Sequence, residues 1–367
     1  MKQAITKANI NNRRSFLKNS LTAGAAIAGA SALGAPALQA QSRARLSSGD
    51  AAILKFLAAA ELIESDLWQQ YAELGGVTAG TQNAYQLALQ QLDPDGSQYI
   101  TSNTLDEQSH AAFLNAYLAL RGQTPVDLDA FRVLPSSQAT GAQQTGRLTN
   151  LMQLSVDTSW YTRYRSSTNP DFGVTFPQAL PAVAAGQFTA IPKTNADFAP
   201  ATHIQAIANI AAFHFGFVEQ GGLSLYATLG QHVSDAEVLR VVMSIGGDEI
   251  AHFLEWVDFA GNGVQTPIAP FTDPVTGLVF PDFNATNNPL LQTNLIFPVP
   301  CEFISPSLPH CAVIRPTGLG QIDAVGFVNA LIADGLFIGQ SQAFIALLFE
   351  MANAADEASS LATPRVR

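Results

Sequence analysis

Apolar positions recur every three to four residues through most of the chain, the signature of helices that bury one face. Ile53–Leu74 predicts a first long helix and Thr81–Leu92 a shorter one, stopped by the turn residues Asp93–Gly96. Ile100–Leu120 predicts a second long helix ending at Gly122, and His203–Leu229 a third. A fourth opens on a capping box at Ser234-x-x-Glu237, runs to Phe259 and stops at Gly261–Gly263. Gln321–Ala354 is apolar nearly all round and predicts one final, buried helix. The stretches 123–200 and 261–320 are rich in turn residues and predict loop, the first with an ordered patch over Leu148–Arg165, the second with short strands.

The apolar faces of the four long helices carry acids. Positions three, four or seven apart share a helix face. In the first helix Leu54, Leu57, Glu61, Glu64, Trp68 and Tyr71 form one stripe, with Lys55, Asp66, Gln70 and Glu73 away from it. In the second, Glu107 lies with Ile100, His110, Leu114, Tyr117 and Leu118. Glu219 is the only acid of the third helix and aligns with Ile204, Ala208, Ala212, Phe215, Gly222 and Tyr226. In the fourth, Glu249 aligns with Val238, Val242, Ile245, His252, Phe253 and Trp256.

The order is therefore Glu61, Glu107-x-x-His110, Glu219, Glu249-x-x-His252. Two helices giving a Glu and two giving Glu-x-x-His is the ligand pattern of di-iron and di-manganese carboxylate bundles. On these residues the chain resembles the ferritin-like domain family, in the branch that includes exported bacterial members and desiccation-related proteins. The resemblance covers the helices between about 50 and 260. It implies an all-α, up-down four-helix bundle with a long crossover (the 123–200 insertion), followed by a loop-rich extension over 261–320 and a C-terminal helix over 321–357. It further implies that Glu107 and Glu249 bridge two metals, with Glu61 and Glu219 terminal and His110 and His252 one to each.

Electrostatics support a metal independently. Converging carboxylates in a dry core are costly unless protonated, paired or metal-bound, and no Lys or Arg lies near them on these faces. Two divalent cations would cancel four carboxylates, and carboxylate plus imidazole without thiolate suits Fe or Mn.

Other readings stand beside these. Thr104-x-x-Glu107 could be a capping box, which would leave His110 solvated in a first turn. Glu64 is an alternative to Glu61, or a residue that orients a ligand. Glu61 is preferred because Glu61/Trp68 repeats the seven-residue spacing of Glu219/Tyr226 and Glu249/Trp256. Those aromatics read as core. His203, His214 and His232 lie off the Glu219 face and read as surface or packing residues, and Glu255 as solvated.

Composition narrows the setting. The 367 residues are 47% hydrophobic and 13% charged, with 18 Lys+Arg against 29 Asp+Glu, a net charge of -11. That balance argues against nucleic acid, which needs clustered cations. Arg13-Arg14, then Phe16, Leu17 and Lys18, precede an Ala/Gly-rich run over Leu21–Leu38. The segment 1–40 resembles a twin-arginine export signal, cleaved after Ala37 or Ala40, and implies a periplasmic or extracellular protein without a stable membrane span. Its five cations and no acid take the processed chain from -11 to -16. In an exported protein, Cys301 and Cys311 predict a disulfide. The expected function is oxygen- or peroxide-linked redox chemistry at the dinuclear site; the alternative is a non-catalytic stress- or desiccation-associated bundle in which any metal is structural.

Overall fold

The computed structural model describes residues 45–77, 82–164, 176–286, 298–299, 305, 307–309, 311–312 and 323–362. The expected amino-terminal signal and Cys301, and with it the expected disulfide, lie outside them. The described residues form one compact unit.

Four long helices carry the fold: α1 (Ser48–Gly75), α3 (Gly96–Leu120), α6 (Ala201–Gly230) and α7 (Ala236–Asn262), with the short α2 (Ala84–Leu92) between the first two. α1 packs chiefly on α3, and α6 on α7, so the bundle is two antiparallel hairpins placed face to face. Residues 121–200 cross from one hairpin to the other and contain the short helices α4 (Ser159–Arg163) and α5 (Pro181–Ala185). α8 (Ala324–Asp334) and α9 (Gln342–Ala362) follow the bundle, with α9 lying along α1. The strand pairs are β1 (Phe271–Thr272) with β2 (Val279–Phe280), and β3 (Pro298–Val299) with β4 (Cys311–Ala312). No helix among the described residues is long and apolar enough to cross a membrane.

The helix starts differ from the sequence expectation in ways that matter. α3 begins four residues earlier than expected, at Gly96, so Thr104 and Glu107 lie well inside it. Thr104 caps nothing: its Oγ1 donates to the carbonyls of Ile100 (2.6 Å) and Trp68 (3.1 Å). The capping-box alternative for Glu107 is thereby removed, and His110 is buried. α7 is capped by Asp235, whose side chain accepts from Glu237 N–H at 2.7 Å, and not by Ser234. Ser234 instead donates from its backbone and hydroxyl to Asp50 on α1, each at 2.7 Å. The single helix expected over 321–354 is two, because the chain turns at Gly335 (φ 89°) and Gly339 (φ 92°), left-handed conformations that glycine adopts without steric cost. Both segments bury only one face, through Phe327, Val328 and Leu331 in α8 and Phe344, Leu348 and Ala352 in α9.

The acids of α1 that point away from the bundle hold the crossover. Asp66 is buried and accepts from the backbone of Leu148 and Thr149 (2.9 Å each) and from Arg132 (2.6 Å). Glu73 accepts from Arg147 at 2.6 Å. These contacts bring Leu148, Leu151 and Leu154, part of the expected ordered patch, into the core. Glu255 is half-buried rather than solvated, accepting from Asn103 at 3.3 Å, and burial raises its pKa.

Candidate metal centre

Each long helix delivers its acid to the same point. Glu61, Glu107, Glu219 and Glu249 are at most 1% exposed, and His110 and His252 are buried beside them. Ligand-type atoms of Glu61, Glu107, His110 and Glu249 all fall within 4.8 Å of one another, and so do those of Glu107, Glu219, Glu249 and His252. The two groups share Glu107 and Glu249. Glu61 belongs to the first group; Glu64, one turn on and also buried, belongs to neither.

Both imidazoles turn Nδ1 inward. His110 Nδ1 lies 3.2 Å from Glu107, 3.4 Å from Glu61 and 3.6 Å from Glu249. His252 Nδ1 lies 3.0 Å from Glu107 and 3.3 Å from Glu219. Their Nε2 atoms face outward to two acids that the sequence reading left aside. Asp248 sits 3.2 Å from His110 Nε2, and Asp106 sits 3.4 Å from His252 Nε2. Each of these aspartates immediately precedes the Glu of one motif and meets the His of the other. Asp-Glu-x-x-His occurring twice was the available signal; the crossing needs the tertiary fold.

The aromatic spacing has the same reciprocity. Trp68 of α1 donates its indole N–H to Glu219 of α6 at 2.9 Å, and Tyr226 of α6 donates its hydroxyl to Glu61 of α1. Trp256 departs from the pattern and donates to Asn103 at 2.7 Å. The symmetry also breaks three residues beyond Glu61 and Glu219, where α1 has Glu64 and α6 has Gly222. A Cβ at Gly222 would lie 2.3 Å from Glu249 Oε2, so glycine is what lets that carboxylate lie against the α6 backbone.

Burial sets the electrostatics. Desolvation, reinforced by the Glu107 charge, raises Glu61 to about 8. Glu64, Glu219 and Glu249 are raised for the same primary reason. Glu107 goes the other way: burial would raise it, but contact with both imidazoles outweighs that and holds it at about 2. His110 is pushed up to about 12 despite its burial, by Asp248, Glu107 and Glu61, and His252 rises in the same direction through Glu219, Asp106 and Glu107.

The donor set fits divalent cations. Glu61 Oε2, Glu107 Oε1, Glu219 Oε2, both oxygens of Glu249 and both ring nitrogens of His252 are buried without a hydrogen-bond partner among the described residues. Such groups are costly to leave unsatisfied, and cations placed among them would engage every inward-facing one. The cluster thus contains buried acid and histidine groups that can hold metal.

Two described histidines outside the cluster have acidic partners, His203 with Asp273 and His214 with Asp334. His203 pairs with Asp273 at 3.0 Å, and His214 is enclosed completely, so neither is at the surface; His232 is half-buried.

No curated protein and no solved structure gives a match to the chain. A family model described as a ferritin-like domain matches residues 49–256, which run from the first turn of α1 to Trp256 on α7 and contain every residue of the cluster. With the helical bundle and that match together, the chain belongs to the ferritin-like domain family.

Proposed function

We propose that Glu61, Glu107, His110, Glu219, Glu249 and His252 hold two divalent metal ions, Fe or Mn, and that this centre performs redox chemistry on dioxygen or peroxide in an exported protein. The observation that carries the proposal is the pair of overlapping groups sharing Glu107 and Glu249, the arrangement two neighbouring cations need. When bound, the metals supply electrons and an open coordination position.

The chain's own residues prepare the rest. Asp248 and Asp106 stand 3.2 and 3.4 Å from the outer imidazole nitrogens of His110 and His252, so a cation that displaces the inner proton would meet an Nδ1 lone pair already turned to the carboxylates. Trp68 and Tyr226 each fix one oxygen of a terminal acid and leave the other turned inward. Stacked Trp68, Trp256 and Phe215 close the bundle on one side of the cluster, keeping water from that direction. Arg13-Arg14 and the following Ala/Gly-rich run support export by the twin-arginine route.

Metal analysis of the full chain, produced with its amino-terminal segment intact, tests this. Two Fe or Mn per chain, lost in Glu249→Ala, together with metal-dependent consumption of dioxygen or peroxide, is the expected result. A metal-free protein whose melting does not respond to added Fe or Mn overturns it.

A further inference from the structure

A second buried polar arrangement lies one step from the cluster. Tyr71 on α1, His214 on α6 and Asp334 at the end of α8 are each at most 2% exposed. Tyr71 Oη lies 2.8 Å from His214 Nδ1, and His214 Nε2 lies 3.1 Å from Asp334 Oδ2. Among the described residues neither oxygen of Asp334 nor Nε2 of His214 has a hydrogen-bond partner, and the two groups face each other across that 3.1 Å contact. An acid at Nε2 favours the tautomer protonated there, which leaves Nδ1 as acceptor for the phenol proton.

Aromatic contacts connect this group to the cluster. Tyr71 follows Trp68 on the same stripe, with ring centroids 5.8 Å apart, and Phe215 touches both, at 4.6 Å from Tyr71 and 5.0 Å from Trp68. Trp68 in turn donates to Glu219. A contiguous path therefore runs from a candidate metal ligand through an indole to a phenol whose proton already points at a base.

Two other buried phenols, Tyr85 and Tyr226, differ. Tyr85 donates to the carbonyl of Ala190, which cannot take a proton, and Tyr226 donates to Glu61 itself. Burial raises the Tyr71 pKa well above 10, so the phenol is protonated at rest and can lose an electron readily only if its proton leaves with it. If packing alone were needed, Phe and two apolar side chains would fill this space without the cost of burying an acid and an imidazole.

We propose that Tyr71 is a redox-active residue that gives up one electron through Trp68 and, in the same step, its proton to His214. The O–H bond of Tyr71 breaks and an N–H bond forms at His214 Nδ1. The electron reduces the oxidant by one equivalent, leaving a neutral tyrosyl radical beside a doubly protonated imidazole whose other nitrogen lies 3.1 Å from Asp334. The physiological oxidant is the oxidised metal centre, so in that respect the inference rests on the function proposed above; the phenol–imidazole pair itself does not.

The test uses the purified full chain, its metal content measured on the same sample. Ruthenium(III) tris(bipyridine), generated by light, supplies a one-electron oxidant that needs no bound metal, and electron paramagnetic resonance reads the product. A neutral tyrosyl signal that is absent in Tyr71→Phe is expected. In His214→Gln, with Tyr71 intact, radical formation should slow by about a hundredfold, the low end of what a positioned proton acceptor contributes. A purely structural triad would move the melting temperature of these variants and leave the radical signal alone. An unchanged signal in Tyr71→Phe, or an unchanged rate in His214→Gln, overturns the proposal. A parallel sample loaded with Fe(II) and exposed to dioxygen separates the two claims: a signal with ruthenium but none here leaves Tyr71 as assigned and counts against the metal centre as its oxidant.

Discussion

Asp248 on α7 sits 3.2 Å from the outer nitrogen of His110 on α3, and it also reaches within 3.7 Å of His252 on its own helix. One half-exposed aspartate therefore touches both imidazoles of the cluster, whereas Asp106 contacts only His252, at 3.4 Å. Outer partners of this kind set the tautomer and orientation of a histidine ligand, and losing one typically costs about 10- to 100-fold in metal affinity. Asp248→Asn is accordingly expected to weaken metal binding within that range and by more than Asp106→Asn. Competitive metal titration of the two variants measures the difference; equal affinities in wild type and Asp248→Asn would contradict the positioning role.

The sharing of Glu107 and Glu249 makes the acids unequal. Removing Glu61 dismantles one group and leaves Glu107, Glu219, Glu249 and His252; removing Glu219 does the converse. Glu61→Ala and Glu219→Ala are each expected to retain one metal per chain, while Glu107→Ala and Glu249→Ala lose both. Elemental analysis of the four variants distinguishes this from a single site, which would give the same loss in all of them.

Gly222→Ala sets two effects of opposite sign against each other. Alanine in a helix interior is favoured over glycine by about 1 kcal/mol. Against that, the new Cβ would lie 2.3 Å from Glu249 Oε2 and must displace it. The contacting atom ends a side chain, so the backbone can stay in place while the carboxylate cannot. The variant is expected to fold with a melting temperature near that of the wild type and to lose metal stoichiometry. A variant that keeps its metals would show that Glu249 does not need the position it occupies here.

The metal-free chain should be most stable in mild acid. Glu61 binds its proton more tightly folded than unfolded, so the folded state holds the extra proton from about pH 4.5 to about 8, and stability falls as pH rises through that window. His110, raised from 6.5 to about 12, contributes with the same sign: its stabilisation is complete below 6.5 and is lost as pH rises towards 12. Bound cations replace these protons and reverse the preference. Denaturant midpoints between pH 5 and 8 should fall with pH in the metal-free chain and stay level or rise in the loaded one; a fall of equal slope in both would show that cations do not replace these protons.

Much of the cluster was visible in sequence because each acid interrupts an apolar stripe, and a helix converts that spacing into direction with little tertiary help. Glu219, the one acid in an otherwise apolar helix, is the clearest case. What sequence could not give is which partner each outward group meets. Asp106, Asp248 and the His214–Asp334 pair depend on residues about 140 and 120 positions apart coming together, and helical periodicity carries no information about that. The start of α7 was misplaced for a tertiary reason: Ser234 fits a capping box, but Asp50 on α1 takes both its donors, and Asp235 caps the helix in its place. The expected final helix failed because its apolar run conceals two glycines with positive φ.

The division of the bundle into two hairpins has one more consequence. Glu61, Glu107 and His110 come from the first and Glu219, Glu249 and His252 from the second, yet each group of four borrows at least one acid across the seam. Neither hairpin owns a metal. Cations bound here would act as rivets between halves whose only covalent link is residues 121–200, so occupancy would register as cohesion of the halves more than as stiffness within either one.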